Sequence, residues 1–257
     1  MSPQVVAHRG NSHENAEHTL RAYLAALDAG ADALECDVRL TADGHLVCVH
    51  DRDLRRIASR RGVVSTMELA ELDHLDLASW KHPWAGLDDE APEREPLLDG
   101  VLTLRKLLEV VADYDRHVEV AIETKHPTRY TSLVERRVVE LLDDFGWTGP
   151  GSPARVMSFS WRALARVRRL APALPVVMLV ERAERWPPLR RVVGPDWAIG
   201  PSVRELRDHP GLGRHLAGRE LHVWTVNTPE DLQLCMDLGV KAVITDRPAY
   251  VLDLLGV

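Results

Sequence analysis

Cysteine is scarce in this chain, and the few cysteines present are poorly placed to cross-link it. Cys36, Cys48 and Cys235 are an odd number, and each lies within a stretch that has the periodicity of a strand or a helix. Disulfide-stabilised domains carry dense, even sets of cysteines. The sequence therefore predicts a fold without a disulfide framework. Cys36 alternates with acidic neighbours along a predicted strand, so we expect it to pack in the core and not to bind a metal.

Long apolar runs are also missing. The longest, such as LPVVMLV at 174–180, are far shorter than the roughly 20 residues that a membrane-spanning helix needs. The first residues, MSPQVVAHRG, enter a strand-like segment almost at once, which leaves no room for a signal peptide. We expect a soluble, cytoplasmic protein without stable membrane insertion. Nothing in the sequence predicts its oligomeric state.

The chain has no excess of positive charge and no phosphate-binding glycine loop. Its net charge is −7, with both signs interspersed, so no basic stripe is present to bind nucleic acid. Neither GxGxxG nor GxxxxGK[ST] follows the first predicted strand, which argues against a doubly wound nucleotide-binding sheet. A small phosphate-bearing substrate is compatible with this charge, because local arginines and a cation can offset it.

Strand-like and helix-like segments alternate along most of the 257 residues. Alternation of this kind favours a parallel sheet, and the number of strands together with the length favours one closed (β/α)₈ barrel, or TIM barrel, over residues 1–257. The eight predicted strands are 4–7, 33–38, 117–122, 155–158, 175–180, 197–199, 221–226 and 242–244.

One segment, 52–100, interrupts this rhythm after the second strand. It contains a short helical pattern at 65–72, then a loop with Trp80, Trp84 and several prolines. Its apolar content is too low for a core of its own. We predict a small inserted subdomain near the active site.

The stretch at 35–51, ECDVRLTADGHLVCVHD, carries the first functional signal. Glu35 and Asp37 are two residues apart on a predicted strand, so both side chains lie on one face, a few ångströms apart. Like charges held that close repel unless a cation lies between them. Asp43-Gly44 indicates a tight hairpin. With that dipeptide at the centre of the turn, the register pairs Thr41 with Leu46, Arg39 with Cys48, and Asp37 with His50.

Further polar residues follow the ends of other predicted strands. Active sites of (β/α)₈ barrels lie at this C-terminal edge of the strands, so we expect these side chains to converge. They are His8 and Arg9 after the first strand, Glu123 and Lys125 after the third, Trp224 and Asn227 after the seventh, and Asp246 and Arg247 after the eighth.

The residue types predict a metal site with acid–base groups beside it. Glu35, Asp37 and Glu123 offer only oxygen ligands, which suit one hard divalent cation, Mg²⁺ or Ca²⁺. His8 and His50 can act as base and acid, because imidazole titrates near neutral pH.

Two positively charged side chains complete this predicted site. The planar guanidinium of Arg9 suits phosphate oxygens, and the ammonium of Lys125 adds a compact positive charge. Trp224 has two open interpretations, a packing residue at the barrel rim or an apolar wall of the pocket.

The motifs as a set resemble the glycerophosphodiester phosphodiesterase family. They are HRG at 8–10, ExDVxxTxDGxxVxxHD at 35–51, ExK at 123–125, VWTVN at 223–227 and ITDRP at 244–248. The resemblance extends from Val6 to about Pro248 and implies a barrel that hydrolyses glycerophosphodiesters to glycerol 3-phosphate and an alcohol.

The resemblance also implies roles for the residues. Glu35, Asp37 and Glu123 would bind the divalent cation, His8 and His50 would form the catalytic pair, and Arg9 and Lys125 would contact the phosphate, with Trp224 beside the glycerol. One position departs from the family pattern. AEHT at 16–19 stands where the family has PENT, so His18 replaces an asparagine. Because histidine still donates one hydrogen bond, we expect the metal ligands to be preserved.

Two alternatives remain open at this stage. A phospholipase D-like enzyme acting on lysophospholipids would share the fold and would need an exposed apolar or basic docking surface. A non-catalytic phosphodiester-binding barrel is the other, since a fold does not determine a function; the intact pair of histidines argues against it.

Overall fold

Eight parallel strands close into a barrel, as predicted. The computed structural model describes residues 2–84, 87 and 95–257. The parallel strands are β1 (Gln4–His8), β2 (Ala33–Leu40), β4 (Glu119–Thr124), β5 (Ala154–Ser158), β6 (Val176–Val180), β7 (Ala198–Pro201), β8 (His222–Trp224) and β9 (Ala242–Thr245). A ninth strand, β3 (Leu46–Cys48), is antiparallel to β2.

The barrel closes through two sets of contacts. In space the strands follow the order β7-β6-β5-β4-β2-β1-β9-β8. The remaining gap is bridged by the parallel pairs Ile199–Leu221 and Ser202–Trp224, which join β7 to β8. The C-terminal ends of the eight parallel strands therefore meet at one mouth of the barrel.

Helices connect the strands and cover the outside of the sheet. At the start of several helices a threonine or serine side chain accepts the backbone N–H of the third helical residue, as Thr19, Thr103, Ser160 and Thr228 do. The helices are α1 (Leu20–Asp28), α2 (Arg55–Ala58), α3 (Leu69–Asp73), α4 (Pro96–Asp99), α5 (Leu104–Ala112), α6 (Leu133–Asp144), α7 (Trp161–Leu170), α8 (Trp186–Leu189), α9 (Val203–Asp208), α10 (Pro210–His215), α11 (Pro229–Asp237) and α12 (Pro248–Leu255).

Small and branched side chains fill the barrel interior below the mouth. Residues of one strand face form a compact inner cluster, while those of the other face pack against the helices in the larger core. The inner cluster comprises Val6, Ala33, Ala121, Met157, Val177, Leu179, Ala198, Ala242 and Ile244. The three cysteines are free and buried, and Cys36 packs in the core as predicted. Among the residues described, no helix combines the length and the hydropathy that crossing a bilayer requires.

The predicted register of the β2–β3 hairpin is wrong by one residue. The structure pairs Val38 with Cys48, Arg39 with Val47, and Leu40 with Leu46. The Thr41 N–H donates to the His45 carbonyl at 2.9 Å, so the loop holds three residues, with Gly44 at φ +89°. Asp37 therefore lies opposite Val49, and the Val49 N–H donates to the Asp37 carbonyl at 3.0 Å. His50 is not the strand partner of Asp37; it follows β3 toward the mouth.

The described part of 52–100 packs on this hairpin. Its apolar residues Leu54, Ile57, Val64, Met67 and Leu72 form a small cluster with side chains at the end of β3. Residues 85–86 and 88–94 of the predicted insertion lie outside the described part of the chain. That the segment forms a distinct subdomain stays a prediction.

The loop after β1 depends on a glycine. Gly10 has φ +84°, and a Cβ there would lie 2.6 Å from the carbonyl carbon of Ala22 in α1. We expect Gly10→Ala to lower the free energy of unfolding by about 2–4 kcal/mol, because it adds both backbone strain and a steric clash.

Urea denaturation measures this change. Gly149→Ala is the matched control, since a Cβ at Gly149 meets nothing within 4 Å. Equal losses of stability in the two variants would contradict the view that the loop after β1 requires glycine at position 10.

Candidate active site

Three carboxylates converge at the mouth of the barrel. Glu35 and Asp37 lie on β2, and Glu123 is the strand partner of Asp37 on β4. One oxygen atom from each can be chosen so that all lie within 4.8 Å of one another. The three residues are only 2%, 1% and 7% exposed, respectively. The sequence prediction that these side chains share a site is consistent with this arrangement.

The close approach of the three buried carboxylates shifts their pKa values in different directions. Burial, together with the charges of Asp37 and Glu123, holds the pKa of Glu35 well above its usual range. Burial and Asp37 raise the pKa of Glu123 to about 8. Burial would also raise the pKa of Asp37, but the charge of Lys125 and the hydrogen bond from His18 hold it well below the ordinary value.

Positive side chains partly offset this negative charge. The Lys125 ammonium lies 2.7 Å from both Asp37 Oδ1 and Glu123 Oε1. Among the described residues, this ammonium is the one partner of the buried Asp37 Oδ1, which has no further hydrogen-bond donor. An incompletely satisfied carboxylate in an all-oxygen cluster fits a hard divalent cation.

Arg9 reaches the same carboxylates from the loop after β1. Its backbone N–H donates to Glu35 Oε2 at 3.1 Å. Its Nε lies 3.1 Å from Asp37 Oδ2, and its Nη1 donates to Glu17 Oε1 at 3.1 Å. The guanidinium is therefore held between the acidic cluster and the loop that precedes α1. The backbone of Arg9 has a φ of +58°.

His18 takes over a structural contact to the cluster. Its Nε2–H donates to Asp37 Oδ2 at 2.9 Å, and its Nδ1 lies 2.8 Å from the hydroxyl oxygen of Tyr23. Burial lowers the pKa of His18, although Asp37 opposes this, so the neutral ring is favoured. The expected hydrogen bond to the acidic cluster is thus present.

His8 is oriented by a carboxylate on the neighbouring strand end. Its Nδ1–H donates to Asp246 Oδ1 at 2.6 Å, which leaves Nε2 for the cavity. Asp246 in turn accepts from Asn227 Nδ2 at 2.7 Å and from Ser12 Oγ at 3.1 Å. Burial would raise the pKa of Asp246, but these donors hold it well below its usual range, so the carboxylate stays ionised.

His50 is oriented by a carboxylate in the same way as His8. Its Nδ1–H donates to Asp51 Oδ1 at 2.8 Å, and Arg56 Nε donates to Asp51 Oδ2 at 2.6 Å. Arg39 donates twice to the His50 carbonyl, at 2.7 and 3.0 Å. Burial lowers the pKa of the imidazole to about 4. The ring is therefore neutral near pH 7 and can accept a proton at Nε2.

These groups surround an open cavity of about 240 Å³. One side is polar and the other apolar. Trp224 lies on the apolar side, where its Nε1–H donates to the Gly200 carbonyl at 2.8 Å and its ring meets Phe159 edge-on at 5.6 Å. It is thus both a packed rim residue and a wall of the cavity. The lining comprises His8, Arg9, Glu35, His50, Glu123, Lys125, Met157, Phe159, Leu179, Glu181, Trp224, Thr225 and Ile244.

Seven residues that line the cavity have a role predicted from the sequence, and the residues behind or opposite them have none; the seven are His8, Arg9, Glu35, His50, Glu123, Lys125 and Trp224. Asp246 and Asn227 were noted at strand ends, and Asp51 directly follows His50. Phe159 and Glu181, each one residue beyond the end of a strand, were missed. Their position just past β5 and β6 was the available signal.

Comparison with known proteins agrees with this geometry. Residues 8–250 match the sequence model of the glycerophosphoryl diester phosphodiesterase family. The chain is 44% identical over 252 residues to a probable glycerophosphodiester phosphodiesterase 1 of Mycobacterium tuberculosis, covering 96% of this chain and 90% of that protein. It is 32% identical over 258 residues to a glycerophosphodiester phosphodiesterase of Bacillus subtilis, covering 95% and 83%, respectively.

Solved structures give the same result. An Oleispira antarctica phosphodiesterase in complex with the product sn-glycerol-3-phosphate superposes with a TM-score of 0.81 at 26% identity, covering 100% of this chain and 98% of that one. The family match over nearly the whole chain and these relatives establish that this protein belongs to the glycerophosphodiester phosphodiesterase family.

Proposed function

We propose that this enzyme hydrolyses small soluble glycerophosphodiesters to glycerol 3-phosphate and an alcohol in the cavity at the barrel mouth. The observation that carries the proposal is a cluster of three buried carboxylates, two of which, Glu35 and Glu123, line one cavity together with two imidazoles, each imidazole oriented by its own carboxylate. The Oleispira antarctica relative, whose structure contains sn-glycerol-3-phosphate, supports the choice of product.

Glu35, Asp37 and Glu123 would hold one divalent cation, Mg²⁺ or Ca²⁺. When bound, the cation supplies positive charge to the phosphate oxygens in the transition state. Lys125 and Arg9 add to that charge from fixed positions, because both are already held against the carboxylates. Preoriented charge of this kind stabilises a developing oxyanion without reorganisation during the reaction.

The apolar side of the cavity would hold the glycerol. Trp224, Phe159 and Leu179 offer a surface for its carbon skeleton. Trp224 is fixed by its bond to Gly200, so the wall is rigid before the substrate binds. The phosphate would then lie between the acidic cluster and the two histidines.

The two histidines take different parts in proton transfer. His50, a neutral ring with Nδ1–H on Asp51, takes the proton of the attacking hydroxyl at Nε2. His8, oriented by the ionised Asp246 through Nδ1–H, gives its Nε2 proton to the leaving alcohol as the P–O bond breaks. The attacking group is a water or the 2-hydroxyl of the glycerol, and a cyclic phosphate product would identify the second route.

The leaving group tests these two roles. On glycerophosphocholine, His8→Ala and His50→Ala should each lower kcat by about 10²–10⁴-fold, the usual contribution of an acid–base residue. On a diester with a p-nitrophenyl leaving group, which departs without a proton, His8→Ala should recover most of its rate and His50→Ala should not.

Steady-state rates on both substrates make the measurement, and circular dichroism checks that each variant is folded. Recovery in His50→Ala instead would reverse the assignment. Rates near that of the wild type in both variants would exclude the pair.

The cation has a test that does not depend on turnover. We expect Mg²⁺ or Ca²⁺ to raise the melting temperature of the wild type and a chelator to reverse this, since a ligand at a hundred times its Kd stabilises by about 2.7 kcal/mol. Glu123→Gln should reduce the shift, because it removes one of the charges that bind the ion.

Differential scanning calorimetry with and without the ion measures the shift. Asp253→Asn, an exposed acid on the outer helix α12, is the control and should keep it. The same ion-dependent shift in Glu123→Gln would contradict the proposed metal ligands.

Hydrolysis of lysophospholipids is the second candidate, favoured by one observation. Trp84, Leu87 and Leu97 in the 52–100 segment are 75%, 82% and 90% exposed, and exposed large apolar side chains are a feature of membrane-docking surfaces. We expect kcat/KM to be higher for glycerophosphocholine than for lysophosphatidylcholine. The opposite order, lost on Leu97→Ser, would favour the lipid substrate.

A further inference from the structure

A second cleft adjoins the active site on the side of the β2–β3 hairpin. Four basic residues line it, Arg39, Arg52, Lys125 and Arg129, together with the hydroxyl-bearing Ser65 and Thr128. They come from separate parts of the chain: β2, the segment after β3, and the loop after β4. The cleft therefore depends on the folded barrel and is not a run of basic sequence.

The arginines of this cleft differ from the others at the mouth. Arg9 and Arg56 are each paired with carboxylates, at 2.6–3.1 Å. Within the described ranges, by contrast, Arg39, Arg52 and Arg129 form no ion pair with a carboxylate. The Arg39 guanidinium donates to a carbonyl, that of His50. Arg129 lies over the ring of its neighbour Tyr130 at 5.6 Å.

Unpaired positive charge at this place is notable in a chain whose net charge is −7. Guanidinium groups grouped in a cleft repel one another, and their field attracts an anion. Arg39 continues the alternation of Glu35 and Asp37 along β2, so it lies on the same strand face, one step beyond the acidic cluster.

Lys125 connects the cleft with the catalytic cavity. It lines both, and its ammonium lies 2.7 Å from Asp37 Oδ1 and from Glu123 Oε1. The cleft and the cavity therefore adjoin at this one residue. The apolar wall formed by Trp224 and Phe159 belongs to the cavity alone.

We propose that this basic cleft binds a second phosphate, carried by the alcohol portion of the diester, and so directs the enzyme toward substrates with an anionic alcohol. The inference rests on the proposed function of the main cavity. The cleft itself has a volume of only about 20 Å³, so a phosphate would lie at its open edge, where arginine forks can bind its oxygens in pairs and hydroxyl groups can donate to them. Arg52 and Arg129 are exposed, so their side chains can close on such a group.

Two matched diesters test the proposal. In glycerophosphoglycerol the alcohol is neutral, and in glycerophosphoglycerol phosphate the same alcohol carries a phosphate. We expect kcat/KM of the wild type to be at least about tenfold higher for the second, from hydrogen bonds to a charged group. The preference should diminish as salt rises, because exposed charges are screened.

Substitutions then locate the preference. Arg52→Gln and Arg129→Gln should each reduce the ratio of the two kcat/KM values at least about threefold, and the double variant should remove most of it. Arg169→Gln, an exposed arginine on α7, loses the same charge elsewhere and should keep the wild-type ratio. Arg39 is left intact because it positions His50.

The outcomes separate this proposal from the proposed function. Equal kcat/KM for the two diesters in the wild type, or an unchanged ratio in the double variant, would overturn the second phosphate site while hydrolysis of glycerophosphoglycerol still supports the function. If neither diester were hydrolysed, the affinity for glycerol 1,3-bisphosphate, measured by titration calorimetry, would test the second phosphate site. Binding tighter than that of glycerol 3-phosphate, weakened in the double variant, supports the cleft; equal binding overturns it.

Discussion

The mutual repulsion of three buried carboxylates is the constraint on which the rest of the mouth depends. Glu35, Asp37 and Glu123 lie where water cannot screen them, so each charge must be offset or neutralised. Lys125, Arg9 and His18 do part of this, and all are held in place by the same carboxylates. The side chains that offset the negative charge are therefore held in place by the carboxylates that they stabilise.

A second layer of carboxylates orients the imidazoles. Asp246 fixes His8, and Asp51 fixes His50, in each case through Nδ1, so that Nε2 is the nitrogen that remains for the substrate. The two supports differ. Asp246 is held by neutral donors and keeps its full charge for His8, whereas Asp51 shares its charge with Arg56. This difference is the physical reason why we propose different proton-transfer roles for two similar residues.

The parts that could be predicted from the sequence are those determined by local periodicity. Alternation of strand and helix patterns predicted the barrel, and polar residues at strand ends predicted the acidic cluster, because parallel strands end at one edge. The departure at His18 was also interpretable, since the contact it makes to Asp37 needs only one donor. The lining residues His8, Arg9, His50, Lys125 and Trp224 share one cavity, and their roles in catalysis stay predictions.

What could not be predicted depends on geometry beyond the local pattern. The predicted hairpin register is wrong by one residue because Gly44 adopts a positive φ but Asp43 does not, whereas a two-residue type I′ turn needs a positive φ at both; the dipeptide signal does not reveal this. The support of His8 by Asp246 joins residues at opposite ends of the chain and exists only because β9 closes the barrel beside β1. The apolar wall at Phe159 was missed because a single aromatic after a strand resembles a packing residue.

The two sides of the mouth differ in origin, and this bears on how specificity arises in such a barrel. The acidic cluster and His8 lie on strands or at their ends, which closure of the barrel places rigidly. The cationic side beyond Lys125 is built largely from the segments after β3 and β4, where Arg52 and Arg129 have exposed side chains. Strand positions are constrained by packing on both faces, whereas loop positions tolerate substitution. A barrel can therefore retain its hydrolytic centre while changes in these loops alter the alcohol that it accepts.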